Sequence, residues 1–202
     1  MKPASPRPRR LKDYRPPQYL VDHVDLDVVL DPTATTVTAD LKIRRNPAAG
    51  KQGGALVLDG EMLALGAIRL DGKALPDSAY ARDAASLTVH KVPARPFTLS
   101  LETTIDPEAN KALQGLYRSR GVFCTQCEAE GFRRITYFPD RPDVLSTYTC
   151  RIEADRALAP ILLANGNPTE RGRLKGGRHF AVWHDPHPKP SYLFALVGGD
   201  LG

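Results

Sequence analysis

The sequence predicts an all-β domain, built as an antiparallel β-sandwich, on three observations. Short runs in which every second residue is apolar recur along the chain, as expected of strands that bury one face. The chain contains 18 prolines and 16 glycines, and turn signals recur about every ten residues, which is the spacing of sandwich strands. No long segment shows the 3.6-residue period of an amphipathic helix.

The first half of the chain predicts a series of hairpins. Residues 24–30 alternate as a half-buried strand, and a turn at Asp31-Pro32-Thr33 leads to a second alternation over residues 37–43. Asp71-Gly72 is a hairpin signal. Further strands are predicted at residues 55–58, 67–70, 86–90 and 97–104.

The second half of the chain repeats this pattern. Residues 107–113 offer at most a single helical turn, and Lys175-Gly176-Gly177 predicts a hairpin turn rather than a phosphate-binding loop. The composition changes only before Tyr19, so we expect an arm over residues 1–18 and one β-domain over residues 19–202. Strands are predicted at residues 146–154, 161–164, 179–183 and 192–197.

The distribution of charge argues against a nucleic-acid partner. The chain has 28 basic and 23 acidic residues, a formal net charge of +5. In residues 1–18 six basic side chains face only Asp13, so this Pro-rich arm carries the whole excess and the domain after it is neutral. We expect the arm to be extended or disordered, whereas a nucleic-acid interface should cluster its charge on a folded face. The six basic residues are Lys2, Arg7, Arg9, Arg10, Lys12 and Arg15.

Neither a membrane span nor a secretory leader is expected. The sequence has no apolar run of about eighteen residues, and residues 1–18 lack the apolar core of a signal peptide. We therefore expect a cytoplasmic protein with no membrane partner. Its three cysteines are an odd number for a disulfide framework, so free thiols are the expectation.

Residues 121–142 are the most informative stretch of the chain. Two cysteines, a glutamine, two glutamates and two arginines fall among large apolar side chains between Cys124 and Arg134. The polar residues do not alternate as in a core strand, and the aromatic residues do not suit a solvated loop. Polar groups held among apolar ones are typical of a site that must be both shaped and charged.

Two groups of potential metal ligands are weak candidates. Cys124 and Cys127 have the spacing of half a zinc site or of a redox pair, but no second pair follows. Two reduced thiols, at least one of them buried, are the favoured interpretation. The His-Asp-Pro-His sequence at residues 184–187, with His179 nearby, is not a strong ligand pattern, so we interpret these histidines as polar loop residues. The His-Glu-x-x-His motif of zinc hydrolases is absent from the sequence.

The carboxylates of Glu128 and Glu130 admit three interpretations. On an extended backbone they face one side of a strand, where two carboxylates could form an acid/base pair as in glycosidases. They could instead be surface charges or partners of Arg133 and Arg134. The third interpretation is recognition, because a carboxylate beside the amide oxygen of Gln126 offers several acceptors to an ammonium group.

The sequence resembles one family, the zinc aminopeptidases of the aminopeptidase N type. The most specific match is residues 115–119 (Gly-Leu-Tyr-Arg-Ser) followed by residues 123–137 (Phe-Cys-Thr-Gln-Cys-Glu-Ala-Glu-Gly-Phe-Arg-Arg-Ile-Thr-Tyr). The resemblance extends over nearly the whole chain. Similar landmarks occur at residues 12–19, 25–40, 140–144, 165–167 and 190–197.

This resemblance implies a fold, a site and a partner. It implies a saddle-shaped, twisted β-structure that caps a catalytic domain in which zinc activates water. It identifies Glu128, assisted by Gln126, as the residue that binds the free α-amino group of a peptide. Because that carboxylate would fix the distance from the substrate terminus to the metal, only the first peptide bond would be reached.

The family's zinc motif and other catalytic groups lie further along the chain than residue 202, so no catalytic residue or zinc ligand is expected here. We therefore expect the N-terminal β-domain of a zinc aminopeptidase, an excised or truncated piece that is inactive alone. Its expected partners are the catalytic domain in cis and the N-terminus of a peptide. An exposed apolar patch should mark the docking surface, with residues 126–128 near its edge. The alternative is a stand-alone β-sandwich binding module with no enzymatic parent.

Overall fold

The computed structural model describes residues 10–50 and 54–202. Within these residues the secondary structure consists of strands and short 3₁₀ turns, with no α-helix, so the prediction of an all-β domain is confirmed. The strands are β1 (Tyr19–Val29), β2 (Thr35–Arg45), β3 (Leu56–Asp59), β4 (Ala64–Leu70), β5 (Lys73–Ala74), β6 (Tyr80–Arg82), β7 (Ser86–Val89), β8 (Phe97–Ile105), β9 (Gly115–Ser119), β10 (Val122–Gln126), β11 (Leu145–Asp155), β12 (Ile161–Ala164), β13 (Asn167–Arg173), β14 (Arg178–Pro190) and β15 (Leu196–Gly199).

Eight of these strands form one large sheet, in the order β13-β14-β11-β1-β2-β8-β4-β5. The apolar residues that alternate in the sequence are the buried ones: Val24, Leu26 and Val28 in β1, and Val37 and Leu41 in β2. Because successive strand residues point to opposite faces, each strand turns one face to the core. The alternation therefore determines which face of the sheet is covered.

Two smaller sheets, β3-β7-β6 and β12-β15-β10-β9, complete the fold. Phe132 packs edge-on against Phe138, Tyr148 and Phe194, with ring centroids 5.0, 6.0 and 5.2 Å away. Tyr148 belongs to the large sheet, and Phe194 immediately precedes the four-stranded sheet. This aromatic cluster therefore joins the two sheets next to the segment that the sequence singled out.

One pair of strands departs from the predicted antiparallel arrangement. Strands β1 and β11 are parallel, in a register that runs from His23 opposite Thr147 to Val29 opposite Glu153. One edge of β1 is taken by the hairpin partner β2, so its other edge remains free for a strand that arrives much later in the chain. Parallel pairs need long crossover connections, and the alternation within a strand carries no information about its partner's direction.

The turns were predicted better than the weakly apolar strands. Asp71 and Gly72 connect β4 to β5 with positive φ angles of 49° and 78°, as a tight hairpin requires. Residues 175–177 form a 3₁₀ turn between the antiparallel strands β13 and β14, as predicted for this hairpin. Residues 107–109 form a turn that does not continue into a helix.

One strand was predicted in the wrong position, and several others were missed. The strand expected at residues 192–197 is a 3₁₀ turn at Ser191–Leu193 followed by β15. Strands β5, β6, β9 and β10 were not predicted as strands. Strand β13 was missed because its sequence, Asn-Pro-Thr-Glu-Arg-Gly-Arg, has no apolar alternation, and the structure places it at an exposed edge of the large sheet.

The described part of the N-terminal arm, residues 10–18, is attached to the domain by hydrogen bonds, although residues 10–15 are exposed. The hydroxyl of Tyr14 donates to Asp143 at 3.0 Å, and the guanidinium of Arg141 donates to the carbonyl of Arg15 at 2.9 Å. The first nine residues, with Lys2, Arg7 and Arg9, lie outside the described residues. Among the residues described, no helix is long and apolar enough to cross a membrane.

Candidate functional site

The informative segment begins as a strand, which corrects the sequence-based interpretation. Strand β10 lies between β15 and β9 in the four-stranded sheet, with Cys124 opposite Val197 on one side and Tyr117 on the other. Phe123 is fully buried, whereas Gln126 at the end of the strand is exposed. The strand was not recognised because polar residues occur on both of its faces. The strand places Gln126 at its C-terminal end, next to the turn that follows.

A tight turn follows the strand; we call residues 127–134 the site turn. The N–H of Gly131 donates to the carbonyl of Cys127 at 2.8 Å, and the N–H of Arg134 donates to the carbonyl of Gly131 at 3.0 Å. A 3₁₀ turn over Phe132–Arg134 ends it, with Phe132 in the aromatic cluster. The chain is therefore folded back on itself, and the turn is anchored in the core at its far end.

The site turn brings the two predicted binding residues together. Gln126 and Glu128 are both exposed, and the Nε2 of Gln126 donates to the backbone carbonyl of Glu128 at 3.4 Å. Within the described part of the chain, the carboxylate of Glu128 makes no hydrogen bond or ion pair. An exposed carboxylate beside an amide can accept hydrogen bonds from a cationic group, because its lone pairs are not used internally.

Glu130 has a different environment, so the glycosidase interpretation loses its geometric basis. Residues 128–130 form a turn and not the extended backbone that would place both carboxylates on one face of a strand. The carboxylate of Glu130 lies 3.6 Å from the guanidinium of Arg133. For Glu130 the structure therefore agrees with the second interpretation from the sequence, in which a glutamate is the ion-pair partner of Arg133 or Arg134.

A network of charged residues lies directly behind the site turn. Arg133 pairs with the buried Asp140 at 3.1 Å, and Arg134 pairs with Glu61 at 2.9 Å. Asp59 lies 3.9 Å from Arg133, and burial raises the pKa of the Asp59 carboxyl above its usual value. The sequence indicated Arg133 and Arg134 as possible partners of the glutamates in this segment. It gave no signal for Asp59 and Glu61, which lie about seventy residues earlier in the chain.

The cysteines of the segment are free thiols in different environments. Cys124 is half-buried in β10, whereas Cys127 and the third cysteine, Cys150, are buried. Burial, reinforced by the charge of Asp140, raises the pKa of Cys127 to about 12. This thiol is therefore protonated near neutral pH and is a poor nucleophile.

The histidines singled out in the sequence do not form a cluster with other ligands. The Nε2 of His179 lies 2.7 Å from the carbonyl oxygen of Ala159, and the Nδ1 of His184 lies 3.1 Å from the hydroxyl of Thr149. Across residues 10–50 and 54–202, no three His, Cys, Asp or Glu side chains come together in a way that could hold a metal ion. His179, His184 and His187 all lie in strand β14, so the interpretation as loop residues was wrong.

Comparison with protein families gives one match that covers most of the chain. Residues 20–193 match the model of the peptidase M1 N-terminal domain. The chain is 55% identical over 201 residues to aminopeptidase N of Caulobacter vibrioides, covering 100% of this chain and 23% of that protein. It is 45% identical over 196 residues to aminopeptidase N of Escherichia coli, covering 97% of this chain and 22% of that protein.

Solved structures agree with these sequence matches. Aminopeptidase A of Legionella pneumophila, in complex with aspartic acid, superposes with a TM-score of 0.90 at 38% identity, over 96% of this chain and 23% of that one. An M1 zinc metallopeptidase from Deinococcus radiodurans superposes with a TM-score of 0.77 at 20% identity, over 90% of this chain and 42% of that one, which shows the shared fold. The chain thus spans less than a quarter of the length of its bacterial aminopeptidase relatives.

Proposed function

Because this chain belongs to the family of the peptidase M1 N-terminal domain, we propose that it serves as the substrate-binding β-domain of a zinc aminopeptidase. In this proposal the longer protein removes N-terminal residues from peptides. This domain binds the free α-amino group and forms part of the wall of the active site. The alternative of a stand-alone binding module fits less well, because the relatives that match the whole chain are enzymes about four times as long.

The chemistry assigned to this chain is recognition and positioning. The carboxylate of Glu128 accepts a charge-assisted hydrogen bond from the substrate ammonium, and the side-chain oxygen of Gln126 accepts a second one. Three N–H donors on the ammonium match these acceptors. A fixed ammonium places the first peptide bond at a set distance from the reacting centre, which selects exopeptidase cleavage.

Zinc would activate the attacking water in the longer protein, but the described residues of this chain do not form a zinc site. No three potential ligands come together in the part of the chain that the structure describes. We therefore assign the metal to the portion of the longer protein outside this chain, and we expect the chain alone to be inactive. A cytoplasmic location also stays a prediction from the sequence.

A surface for the catalytic domain is available on the four-stranded sheet. Its outer face carries a cross-strand row of apolar or weakly polar side chains: Leu163, Val197, Cys124 and Tyr117 lie side by side in register. Leu163 is 38% exposed, and the other three are half-buried. Gln126 follows Cys124 by two residues and so lies on the same face. We propose that the catalytic domain docks on this face, which brings its active site next to Gln126 and Glu128.

The observation that carries the proposed function is the Glu128 carboxylate, which is exposed and has no partner among the described residues. Replacing Glu128 by glutamine in the full-length enzyme keeps the shape of the side chain but removes its charge. A charge-assisted hydrogen bond becomes a neutral one, at a cost of about 1.5–3 kcal/mol. We expect kcat/KM on an aminoacyl substrate to fall roughly ten- to a hundredfold.

The order of effects within the site is also predicted. Gln126→Ala should cost less than Glu128→Gln, because it removes a neutral partner, and Glu130→Gln should cost least, because that residue pairs with Arg133. Glu170→Gln on the exposed edge strand β13 is the matched control and should leave kcat/KM unchanged. If Glu128→Gln left kcat/KM unchanged while Glu130→Gln abolished activity, the assignment of the binding residue would be wrong.

A further inference from the structure

Arg133 connects the site turn to the buried core of the domain. Its side chain is 14% exposed, its Nε donates to Asp140 Oδ2 at 3.1 Å, and its Nη2 donates to the carbonyl of Asp140 at 3.2 Å. The backbone N–H of Arg133 donates to the same carboxylate oxygen at 3.1 Å. Three hydrogen bonds thus fix both the backbone and the side chain of Arg133 relative to one residue.

Asp140 is in turn held by its surroundings. Its side chain is 1% exposed, and the hydroxyl of Ser191 donates to its second oxygen at 2.5 Å. The backbone N–H of Asp140 donates to the carboxylate of Asp59 at 3.0 Å. A buried carboxylate keeps its position when it accepts hydrogen bonds from several directions. If it moved away from one donor, both groups would stay buried without a hydrogen bond, which costs free energy. Asp140 therefore serves as an anchor for Arg133.

On its other side, Arg133 contacts Glu130 within the site turn. Its Nη2 lies 3.6 Å from Glu130, two residues after Glu128. The hydrogen bond between the N–H of Gly131 and the carbonyl of the buried Cys127 closes the turn around Glu128. The residues on either side of Glu128 are therefore fixed, Cys127 by the hydrogen bond from Gly131 and Glu130 by its ion pair with Arg133. The carboxylate of Glu128 itself has no partner within the described residues.

A guanidinium is the group that this geometry requires. The terminal nitrogens of Arg133 also lie 3.9 Å from Asp59 and 4.0 Å from Glu61, so one side chain is shared among four carboxylates. Arginine offers five donors in a planar fork, whereas the ammonium of lysine is a single point charge. Lysine at this position would keep the charge but would not hold Asp140 and Glu130 in the same arrangement.

We propose that Arg133 is a positioning residue for substrate binding, which holds the site turn so that the carboxylate of Glu128 faces the substrate ammonium. This proposal rests on the proposed function of Glu128. Arg133 contacts neither the substrate nor the metal, and its whole effect on activity passes through Glu128. An arginine with a merely structural role would affect activity in the same way whether or not Glu128 carries its charge.

A double-mutant cycle in the full-length enzyme tests this dependence. We expect Arg133→Lys to lower kcat/KM by about tenfold when Glu128 is present, but by less than about twofold in a Glu128→Gln background, since residues that act through one group are not additive. Arg151→Lys is the matched control. Arg151 pairs with Asp27 at 2.9 Å and Glu153 at 2.8 Å in the large sheet, and its effect on kcat/KM should be negligible in both backgrounds.

Hydrogen exchange on the 202-residue chain gives a readout independent of activity. We expect the Gly131 amide to exchange about tenfold faster in Arg133→Lys, while amides in the middle of β1 and β2 exchange as before, because only the site turn loosens. Should Arg133→Lys fail to fold, Glu130→Gln replaces it. It removes the negative charge that pairs with Arg133 and should lower kcat/KM by about two- to threefold, again only when Glu128 is present.

The outcomes separate the two proposals. If Glu128→Gln has no effect on kcat/KM, the proposed function itself fails. If Glu128→Gln has its expected effect but Arg133→Lys costs the same in both backgrounds, Arg133 is only a structural residue and the positioning role is overturned. Unchanged exchange of the Gly131 amide in Arg133→Lys would also overturn it.

Discussion

Gly131 occupies a position in the site turn where a side chain has no room. A Cβ there would lie 2.3 Å from the carbonyl oxygen of Gln126, and 2.9 Å from both Cys127 Cα and Gly115 N. These are backbone atoms, which cannot rotate away as a flexible side chain can. The close approach of β9, the end of β10 and the site turn therefore depends on a residue without Cβ.

We expect Gly131→Ala to destabilise the domain and to displace the turn that carries Glu128. Forcing a methyl group against fixed backbone costs about 1–3 kcal/mol, which urea unfolding of the 202-residue chain can measure. Gly54→Ala is the control, because its Cβ would meet only the side chain of Gln18, at 3.1 Å. Equal stability of the two variants would show that the site turn is looser than the structure indicates.

Among the structural elements, the arm over residues 10–18 shows how a polar segment becomes part of the fold. Asp143 accepts from Arg141 at 2.7 and 2.8 Å and from Tyr14 at 3.0 Å. The hydrogen bond from Arg141 is the main reason that the pKa of Asp143 lies below its usual value, and the bond from Tyr14 lowers it further. The ionised form of Asp143 is therefore the form that holds the arm.

The attachment of the arm should depend on pH in the acid range. Because the folded-state pKa of Asp143 is lowered, its stabilising effect is complete above its unfolded value of 3.8 and is lost as the pH falls through the folded value. We expect the NMR signals of residues 10–16 to move toward those of a free segment below about pH 3.8.

Asp143→Ala is the control for this pH dependence. It should give the low-pH spectrum of the arm already at neutral pH and remove the acid transition from these signals. Arm signals that neither acidification nor Asp143→Ala changes would contradict the role assigned to the carboxylate.

On the scale of the whole molecule, the four-stranded sheet has an apolar outer face that the described residues leave uncovered. We expect Leu163→Glu to change the stability of the 202-residue chain by less than about 0.5 kcal/mol, since Leu163 is on the surface there. If the catalytic domain docks on this face as proposed, the same change in the full-length enzyme should lower stability by about 2 kcal/mol or more, because it would bury an unpaired charge.

Val57→Glu is the matched control for the docking face. Val57 is 56% exposed on β3 of the three-stranded sheet, and its replacement should be neutral in both proteins. Thermal unfolding of the four variants measures the comparison. If Leu163→Glu had the same small effect in both proteins, the catalytic domain would have to dock elsewhere.

Sequence reasoning succeeded for the fold where the local pattern and the tertiary environment agree. The alternating residues of β1 and β2 became the buried face of the large sheet, and the Asp71-Gly72 signal became a hairpin. It failed for β10 and β13, where polar residues occupy strand positions. In those strands the hydrogen bonds to neighbouring strands determine the structure, and a single-strand pattern contains no trace of them.

The sequence alone determined the β class of the domain and the family resemblance, because these depend on residue types and spacing within segments, and the resemblance in turn singled out Gln126 and Glu128 as candidate binding residues. The tertiary structure alone decided that the Glu128 carboxylate has no partner among the described residues while Glu130 is paired, since both are glutamates of the same turn and Glu130 lies 3.6 Å from Arg133. The parallel pairing of β1 with β11 and the approach of Asp59 and Asp140 to Arg133 were likewise invisible in the sequence. The pairing of β1 with β11 and the contact of Asp59 with Arg133 join residues far apart in the chain, so they form only once the sheets have come together. Asp140 lies seven residues from Arg133, and the fold of the segment between them brings the two side chains into contact.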